Sequence, residues 1–147
     1  FDLDQTLIDS SKLENDRKNR DWNKVLSSLH LIEPIKGVNS FLDQLKNDSL
    51  KVGLVTSSPG HYASAVCQKF GWKFDVMISY HDTSNHKPHP EPLEKAATLL
   101  DVEPSHCVYI GDHENDFLAA ERAGMDFIYL LADKVNGDIE SCLALER

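Results

Sequence analysis

The sequence has 147 residues, of which 41% are hydrophobic and 8% aromatic, a composition typical of one globular domain with a sizeable core. Its formal net charge of −9 disfavours non-specific binding to nucleic acid and to anionic membrane surfaces. No apolar run approaches the ~20 residues of a membrane span, and the three cysteines show no close-spaced pair. We therefore expect a single domain, 1–147, in a reducing cytoplasmic compartment and without a membrane partner.

The chain opens with two carboxylates, Asp2 and Asp4, in the run Phe-Asp-Leu-Asp-Gln-Thr-Leu. In an extended backbone alternate side chains share a face, so this spacing predicts that both acids point to the same side. Crowding two like charges is unfavourable unless a cation lies between them or one carboxyl holds a proton. Taken alone, the segment also fits a strand that ends in an Asp-rich turn.

Polar residues at 9–11 can cap a helix that is predicted to run through about Leu31. Apolar residues recur at helical spacing over 22–29, which indicates a face packed on the core. Residues 14–21 are instead an unbroken polar run. This run is either a solvated helix face or the place from which Arg17 or Arg20 contacts a substrate.

The rest of the chain alternates between predicted strands and helices. Strands are predicted over 51–56, 74–79, 107–110 and 127–131. Helices are predicted to begin near 38, 59 and 90, and a further helix is predicted to end before Gly124. Residues 132–147 are expected to be weakly helical. With strand one at the start of the chain, this order predicts a doubly wound α/β fold with a parallel sheet of about five strands.

Chemically reactive side chains follow the predicted strands at their carboxyl ends, where doubly wound sheets bind ligands. Asp2 and Asp4 follow strand one, Thr56 and Ser57 follow strand two, Lys87 lies in the loop after strand three, and Asp112 and Asp116 follow strand four. We expect these residues to meet at one edge of the sheet.

Carboxylates from two strand ends are hard ligands suited to Mg²⁺. The sequence has no His/Cys cluster with zinc spacing, and an exposed loop explains His81, His86 and His89 without a metal. Beside Mg²⁺, one carboxylate can attack phosphorus while the other moves the proton of the leaving group. Hydroxyls and a lysine can hold the phosphate oxygens, so the pattern predicts metal-assisted phosphoryl transfer.

These residues resemble the four motifs of the haloacid dehalogenase-like (HAD) superfamily of hydrolases, in the family's order and over residues 1 to about 131. Its DxDxT signature matches the opening run, its hydroxyl motif matches Thr56, its lysine motif matches Lys87, and its acidic motif matches Gly-Asp112-His-Glu-Asn-Asp116. The resemblance implies a phosphomonoester hydrolase that forms an aspartyl-phosphate, with Asp2 as nucleophile and Asp4 as acid and base. It also implies that Asp2, the Asp4 carbonyl and Asp112 hold Mg²⁺ with support from Asp116.

The segment 9–34 corresponds to a cap insertion, much shorter than in members similar to phosphoglycolate phosphatase. One helix would be too small to enclose a metabolite. Either a neighbouring subunit of a homo-oligomer completes the enclosure, or the site stays open to a bulky phosphorylated substrate. In both cases we expect the substrate to be a phosphorylated metabolite or another phosphomonoester.

Two other classes of protein present similar residues. A phospho-accepting receiver domain also carries acids, a hydroxyl and a lysine at a sheet edge, but its acceptor follows the third strand and its lysine follows the last. A catalytically silent binding protein with the same fold is the second alternative. An assay on a generic phosphomonoester separates it from an enzyme.

Overall fold

The computed structural model describes residues 1–130. The strands of this part are β1 Ile8–Asp9, β2 Glu33–Pro34, β3 Gly53–Val55, β4 Val76–Ile78, β5 Val108–Gly111 and β6 Asp126–Tyr129. The α-helices are α1 Glu14–Lys18, α2 Trp22–Ser27, α3 Val38–Asn47, α4 Gly60–Phe70, α5 Glu91–Leu100 and α6 Glu114–Ala123.

The central layer is a parallel sheet built around the first residues of the chain. β3 pairs with β4 in parallel, and β5 pairs with β6 in parallel. The opening segment, residues 1–7, lies between the two pairs, because Val55 N donates to the Phe1 carbonyl at 2.8 Å and Asp2 N donates to the Ile110 carbonyl at 2.9 Å. The order across the layer is therefore β4, β3, the opening segment, β5 and β6.

Helices cover both faces of this layer. Adjacent residues of β3 point to opposite sides, so Leu54 packs in one buried cluster with Tyr62 and Val66 of α4. Val55 packs in the other cluster, with Leu93 of α5 and Ala119 of α6. The doubly wound α/β architecture predicted from the alternating pattern is thus confirmed.

The segment between β1 and β2 differs from the single helix predicted through Leu31. It contains two short helices, α1 and α2, and Arg20 between them has a left-handed backbone with φ 57°. Asp21 caps α2 by accepting a hydrogen bond from Lys24 N at 3.2 Å, which favours a new helix start over continuation. The prediction of one long helix was therefore wrong.

The two ends of this segment lie side by side, because β1 and β2 form an antiparallel pair. Val25 of α2 is fully buried, and Trp22 and Leu29 pack against the same core cluster. The polar α1 lies on the side of the acids. We refer to residues 9–34 as the cap segment, and its role as a cap stays a prediction.

Among residues 1–130, no helix is long and apolar enough to cross a membrane. Cys67 and Cys107 are free thiols. Three predictions lie outside the described residues. They concern Leu131 at the end of the predicted fifth strand, the weakly helical tail 132–147, and Cys142.

Candidate active site

All the predicted site residues border one cavity of about 590 Å³ at the carboxyl ends of β3 and β5. They are Asp2, Asp4, Arg17, Arg20, Thr56, Ser57, Lys87, Asp112 and Asp116. A larger cavity of about 770 Å³ is lined mainly by apolar side chains from α3, α5 and β5 and borders none of the four acids. The smaller cavity is therefore the candidate active site.

Lys87 links the acids of the opening segment to those that follow β5. Its Nζ donates to Asp2 Oδ1 at 2.9 Å, to Asp116 Oδ1 at 2.7 Å and to the Tyr109 hydroxyl at 2.9 Å. Burial acts to lower the pKa of this ammonium, but the surrounding Asp2, Tyr109 and Asp116 outweigh burial, and the pKa lies well above its ordinary value. Lys87 is thus a fixed positive charge next to Asp2.

Three acids converge beside that lysine. One carboxylate oxygen from each of Asp2, Asp112 and Asp116 lies within 4.8 Å of the others. Burial, and then the charge of Asp2, raise the pKa of Asp112 to about 6, although Thr6 Oγ1 donates to its Oδ1 at 3.0 Å. Crowded, partly buried oxygen donors of this kind fit a hard divalent cation such as Mg²⁺.

The position of Asp116 depends on the residue at the end of β5. A Cβ atom on Gly111 would lie 2.5 Å from Asp116 Oδ2 and 2.7 Å from its Cβ, closer than real contacts allow. The His113 N–H donates to the same Oδ2 at 3.2 Å at the start of α6. A glycine is therefore required here for close approach, and the carboxylate is oriented by the helix that carries it.

Asp4 borders the same cavity but is bound by a different set of donors. Its carboxylate accepts hydrogen bonds from Ser10 Oγ at 2.7 Å, Ser58 Oγ at 3.0 Å and the Tyr62 hydroxyl at 2.8 Å, and its Oδ2 lies 2.7 Å from Arg17 Nη2. Burial raises the pKa of Asp4, and Arg17 and the Ser10 hydroxyl offset part of that rise. The sequence predicted that Asp2 and Asp4 point to the same side. Both border this cavity, but the Asp4 carboxylate is not one of the three convergent acids.

The two predicted hydroxyls differ in exposure. Thr56 is 4% exposed and its Oγ1 accepts a hydrogen bond from Ser58 N at 3.1 Å, which fixes the loop after β3. Ser57 is exposed at the cavity wall.

The two predicted cap arginines also differ. Arg17 points inward from α1 onto Asp4, whereas Arg20 is exposed at the break between α1 and α2 and borders the mouth of the cavity. The structure therefore separates two residues that the sequence pattern treated alike.

Several residues of the site were not predicted. Ser10, Ser58 and Tyr62 donate to Asp4, and Tyr109 contacts Lys87. Alternation along β5 could have placed Tyr109 on the face opposite to Ile110, and the helical spacing of four residues from Ser58 to Tyr62 could have linked that pair. The pairing of Ser10 with Asp4 depends on the turn after β1 and had no signal in the sequence.

The fold and the cavity define a doubly wound α/β protein with an acidic site at the carboxyl edge of its sheet. The model of the haloacid dehalogenase-like hydrolase family matches residues 12–130. The chain belongs to this family. The match begins after the opening acidic motif. Asp2 and Asp4 of that motif border the same cavity as the matched residues Lys87 and Asp112.

Individual proteins agree with this assignment. The chain is 36% identical over 96 residues to the pyrophosphatase PpaX of Bacillus cereus (strain B4264), a match covering 64% of this chain and 44% of that protein. It is 37% identical over 97 residues to the phosphoglycolate phosphatase of Xanthomonas campestris pv. campestris (strain 8004), covering 65% of this chain and 44% of that protein. The matches span less than half the length of these two relatives.

A solved structure shows the same fold. The crystal structure of a HAD-superfamily hydrolase, subfamily IA, variant 1, from Geobacter sulfurreducens PCA superposes with a TM-score of 0.66 at 29% identity. The match covers 71% of this chain and 50% of that chain.

Proposed function

We propose that the protein is a Mg²⁺-dependent phosphomonoester hydrolase in which Asp2 is the nucleophile. The observation that carries this proposal is the position of the Asp2 carboxylate, 2.9 Å from the buried Lys87 ammonium and grouped with Asp112 and Asp116 in an open cavity. An anionic phosphate can approach such a carboxylate only where positive charge offsets the repulsion. The relative named phosphoglycolate phosphatase supports hydrolysis of a phosphomonoester, and the relative named pyrophosphatase supports hydrolysis at phosphorus more generally.

The residues that would hold Mg²⁺ are Asp2, Asp112 and the Asp4 carbonyl, with Asp116 in support. Bound there, the ion would neutralise part of the charge on the acids and on the phosphate oxygens. Burial and then the charge of Asp2 raise the pKa of Asp112 to about 6, and a bound cation would oppose both effects.

In the proposed reaction, an Asp2 oxygen forms a bond to phosphorus while the bond from phosphorus to the leaving oxygen breaks. Asp4 donates a proton to that leaving oxygen, and the product alcohol departs. Water, deprotonated by Asp4, then hydrolyses the aspartyl-phosphate and releases inorganic phosphate. The raised pKa of Asp4 favours a carboxyl that can hold the required proton.

The phosphate-binding role is proposed for Thr56, Ser57 and Lys87. Thr56 and Ser57 follow β3 and border the cavity, and Lys87 supplies the fixed charge. The exposed Arg20 at the mouth is proposed to contact a second anionic group of a larger substrate. We expect the substrate to be a phosphorylated metabolite or another phosphomonoester, with a homo-oligomer as one means of covering the open side.

The test is hydrolysis of p-nitrophenyl phosphate and of a panel of phosphorylated metabolites, with Mg²⁺ and with a chelator. Asp2→Asn preserves shape but removes the attacking charge, so we expect activity to fall by roughly three orders of magnitude or more. The control is Asp43→Asn, which changes an exposed acid of α3. An Asp2→Asn rate above about a tenth of wild type would contradict the assignment of the nucleophile, and turnover that resists chelation would contradict the metal.

A further inference from the structure

We propose that Arg17 is a positioning residue for Asp4: its guanidinium holds the Asp4 carboxylate in place for proton transfer and does not bind the outer part of the substrate. This inference rests on the proposed function, because it assigns a role through the proposed acid. It differs from the expectation that Arg17 and Arg20 serve alike as substrate contacts.

The contacts of Arg17 all lead to Asp4. Nη2 lies 2.7 Å from Asp4 Oδ2 and donates to Ser58 Oγ at 3.3 Å, while Nη1 donates to Ser10 Oγ at 3.1 Å. The guanidinium carbon also lies 5.7 Å from the centre of the Tyr62 ring. Since Ser10, Ser58 and Tyr62 each donate to Asp4, Arg17 contacts the acid and every other side chain of residues 1–130 that hydrogen-bonds it.

Other cations of the cap segment are used differently. Lys18 pairs with Glu14 at 2.6 Å and Lys24 pairs with Asp16 at 2.7 Å, both within the cap segment, and the two lysine side chains are 70% and 60% exposed. The Arg17 side chain is 21% exposed and the Asp4 side chain 11%, so this pair is the one shielded from water. A charge-assisted bond in such a place fixes geometry more strongly than a surface pair does.

Burial of the guanidinium has a cost that its contacts must offset. Arg17 Nε is buried and has no hydrogen-bond partner within residues 1–130. The two terminal nitrogens bond Asp4 and the hydroxyls beside it, while the Nε–H stays unsatisfied. The bonds of the terminal nitrogens therefore hold the guanidinium in this place. A residue reserved for an incoming anion would instead keep its terminal nitrogens directed into the open cavity.

The consequence is a specific kinetic pattern. Loss of Arg17 leaves Asp4 held by neutral hydroxyls alone, so its orientation toward the leaving oxygen is less restricted. Turnover of every phosphomonoester should fall, including that of a small generic one. Affinity for the substrate should change little, because the phosphate contacts remain.

The experiment compares Arg17→Ala, Arg17→Lys and Lys24→Ala on p-nitrophenyl phosphate and on a small alkyl phosphate. We expect Arg17→Ala to lower kcat on the alkyl phosphate by about tenfold or more with KM within about threefold, and Arg17→Lys to retain part of the rate. Lys24→Ala is the matched control, since it removes a cation that is ion-paired in the same segment but does not border the cavity that Asp4 borders. Added guanidinium ion at millimolar concentration should restore part of the Arg17→Ala rate and should not affect Lys24→Ala.

A double-mutant cycle separates positioning from a purely structural effect. If Arg17 acts through Asp4, then Arg17→Ala should cause almost no further loss in an Asp4→Asn background. Full additivity, an unchanged Arg17→Ala kcat, or a raised KM with unchanged kcat would each overturn the inference while leaving the proposed function intact. A wild-type protein without Mg²⁺-dependent turnover, by contrast, would overturn both.

Discussion

Two aspartates that are separated by one residue have different surroundings in this site. Asp2 is next to a buried ammonium and two further acids, whereas Asp4 is surrounded by hydroxyls and one guanidinium. Leu3 between them is fully buried. Burial raises the pKa of Asp4, which suits a carboxyl that exchanges protons, whereas Asp2 lies beside a fixed positive charge.

The proposed division of labour predicts a dependence on the leaving group. Asp4→Asn cannot donate the same proton, so kcat/KM for an alkyl phosphate, which reports formation of the aspartyl-phosphate, should fall by about 100-fold or more. A nitrophenol leaves without protonation, and the loss of kcat/KM on p-nitrophenyl phosphate should stay below about tenfold. Steady-state kcat/KM on the two substrates is the measurement, because kcat also includes the hydrolysis step in which Asp4 is proposed as the base. Asp2→Asn is the comparison, because it should reduce both rates alike, and equal losses for Asp4→Asn would remove Asp4 as the acid.

The cap segment shows where a pattern of apolar spacing fails. Its spacing over 22–29 correctly predicted a face on the core, and Val25 and Trp22 do pack there. The break at Arg20 was missed because a left-handed residue in a polar run leaves no trace in hydrophobic periodicity. Asp21 could have indicated the break, because an aspartate that caps a new helix disfavours continuation of the helix before it.

The left-handed backbone at Arg20 predicts a trade between stability and substrate binding. Glycine adopts this conformation without a Cβ clash, so Arg20→Gly should raise the free energy of unfolding by up to about 1 kcal/mol. Removing an exposed cation at the mouth should also raise KM about 2- to 5-fold for a substrate with a second anionic group.

Urea denaturation and steady-state kinetics on the best substrate of the metabolite panel measure the two effects of Arg20→Gly. Lys18→Gly is the control, because it places glycine in the helical conformation of α1 and should lower stability by about 1 kcal/mol. If Arg20→Gly lowered the free energy of unfolding, the Arg20 side chain would stabilise the fold by more than its left-handed backbone conformation destabilises it.

At the scale of the whole molecule, the order of elements could be predicted and the detailed surroundings of the acids could not. Alternating strands and helices imply parallel strands, and parallel strands bring their carboxyl ends to one edge. This reasoning needs no side-chain detail, which is why Thr56, Lys87 and Asp112 were expected at the same cavity as Asp2. The donors to Asp4 depend instead on how the cap segment and α4 pack against the sheet.

The core and the site share the opening segment, which predicts that a core substitution also impairs catalysis. Leu3→Ala removes a fully buried side chain and should lower the free energy of unfolding by about 2–5 kcal/mol. It should also lower kcat, since Asp2 and Asp4 flank the cavity left behind. Thermal unfolding and steady-state kinetics test this. Leu99→Ala, at a side chain that is 58% exposed, should change stability by less than about 0.5 kcal/mol.

The contact between Lys87 and Asp2 joins residues 85 positions apart, and the bond from Thr6 to Asp112 joins residues 106 positions apart. During synthesis on the ribosome, the acidic opening segment therefore emerges long before the lysine and the acids that complete its surroundings. A nascent chain carries Asp2 without its ammonium partner until most of the sheet has been translated. Acquisition of activity must then be a late event that follows closure of long loops, and contacts of such separation are the kind that form slowly.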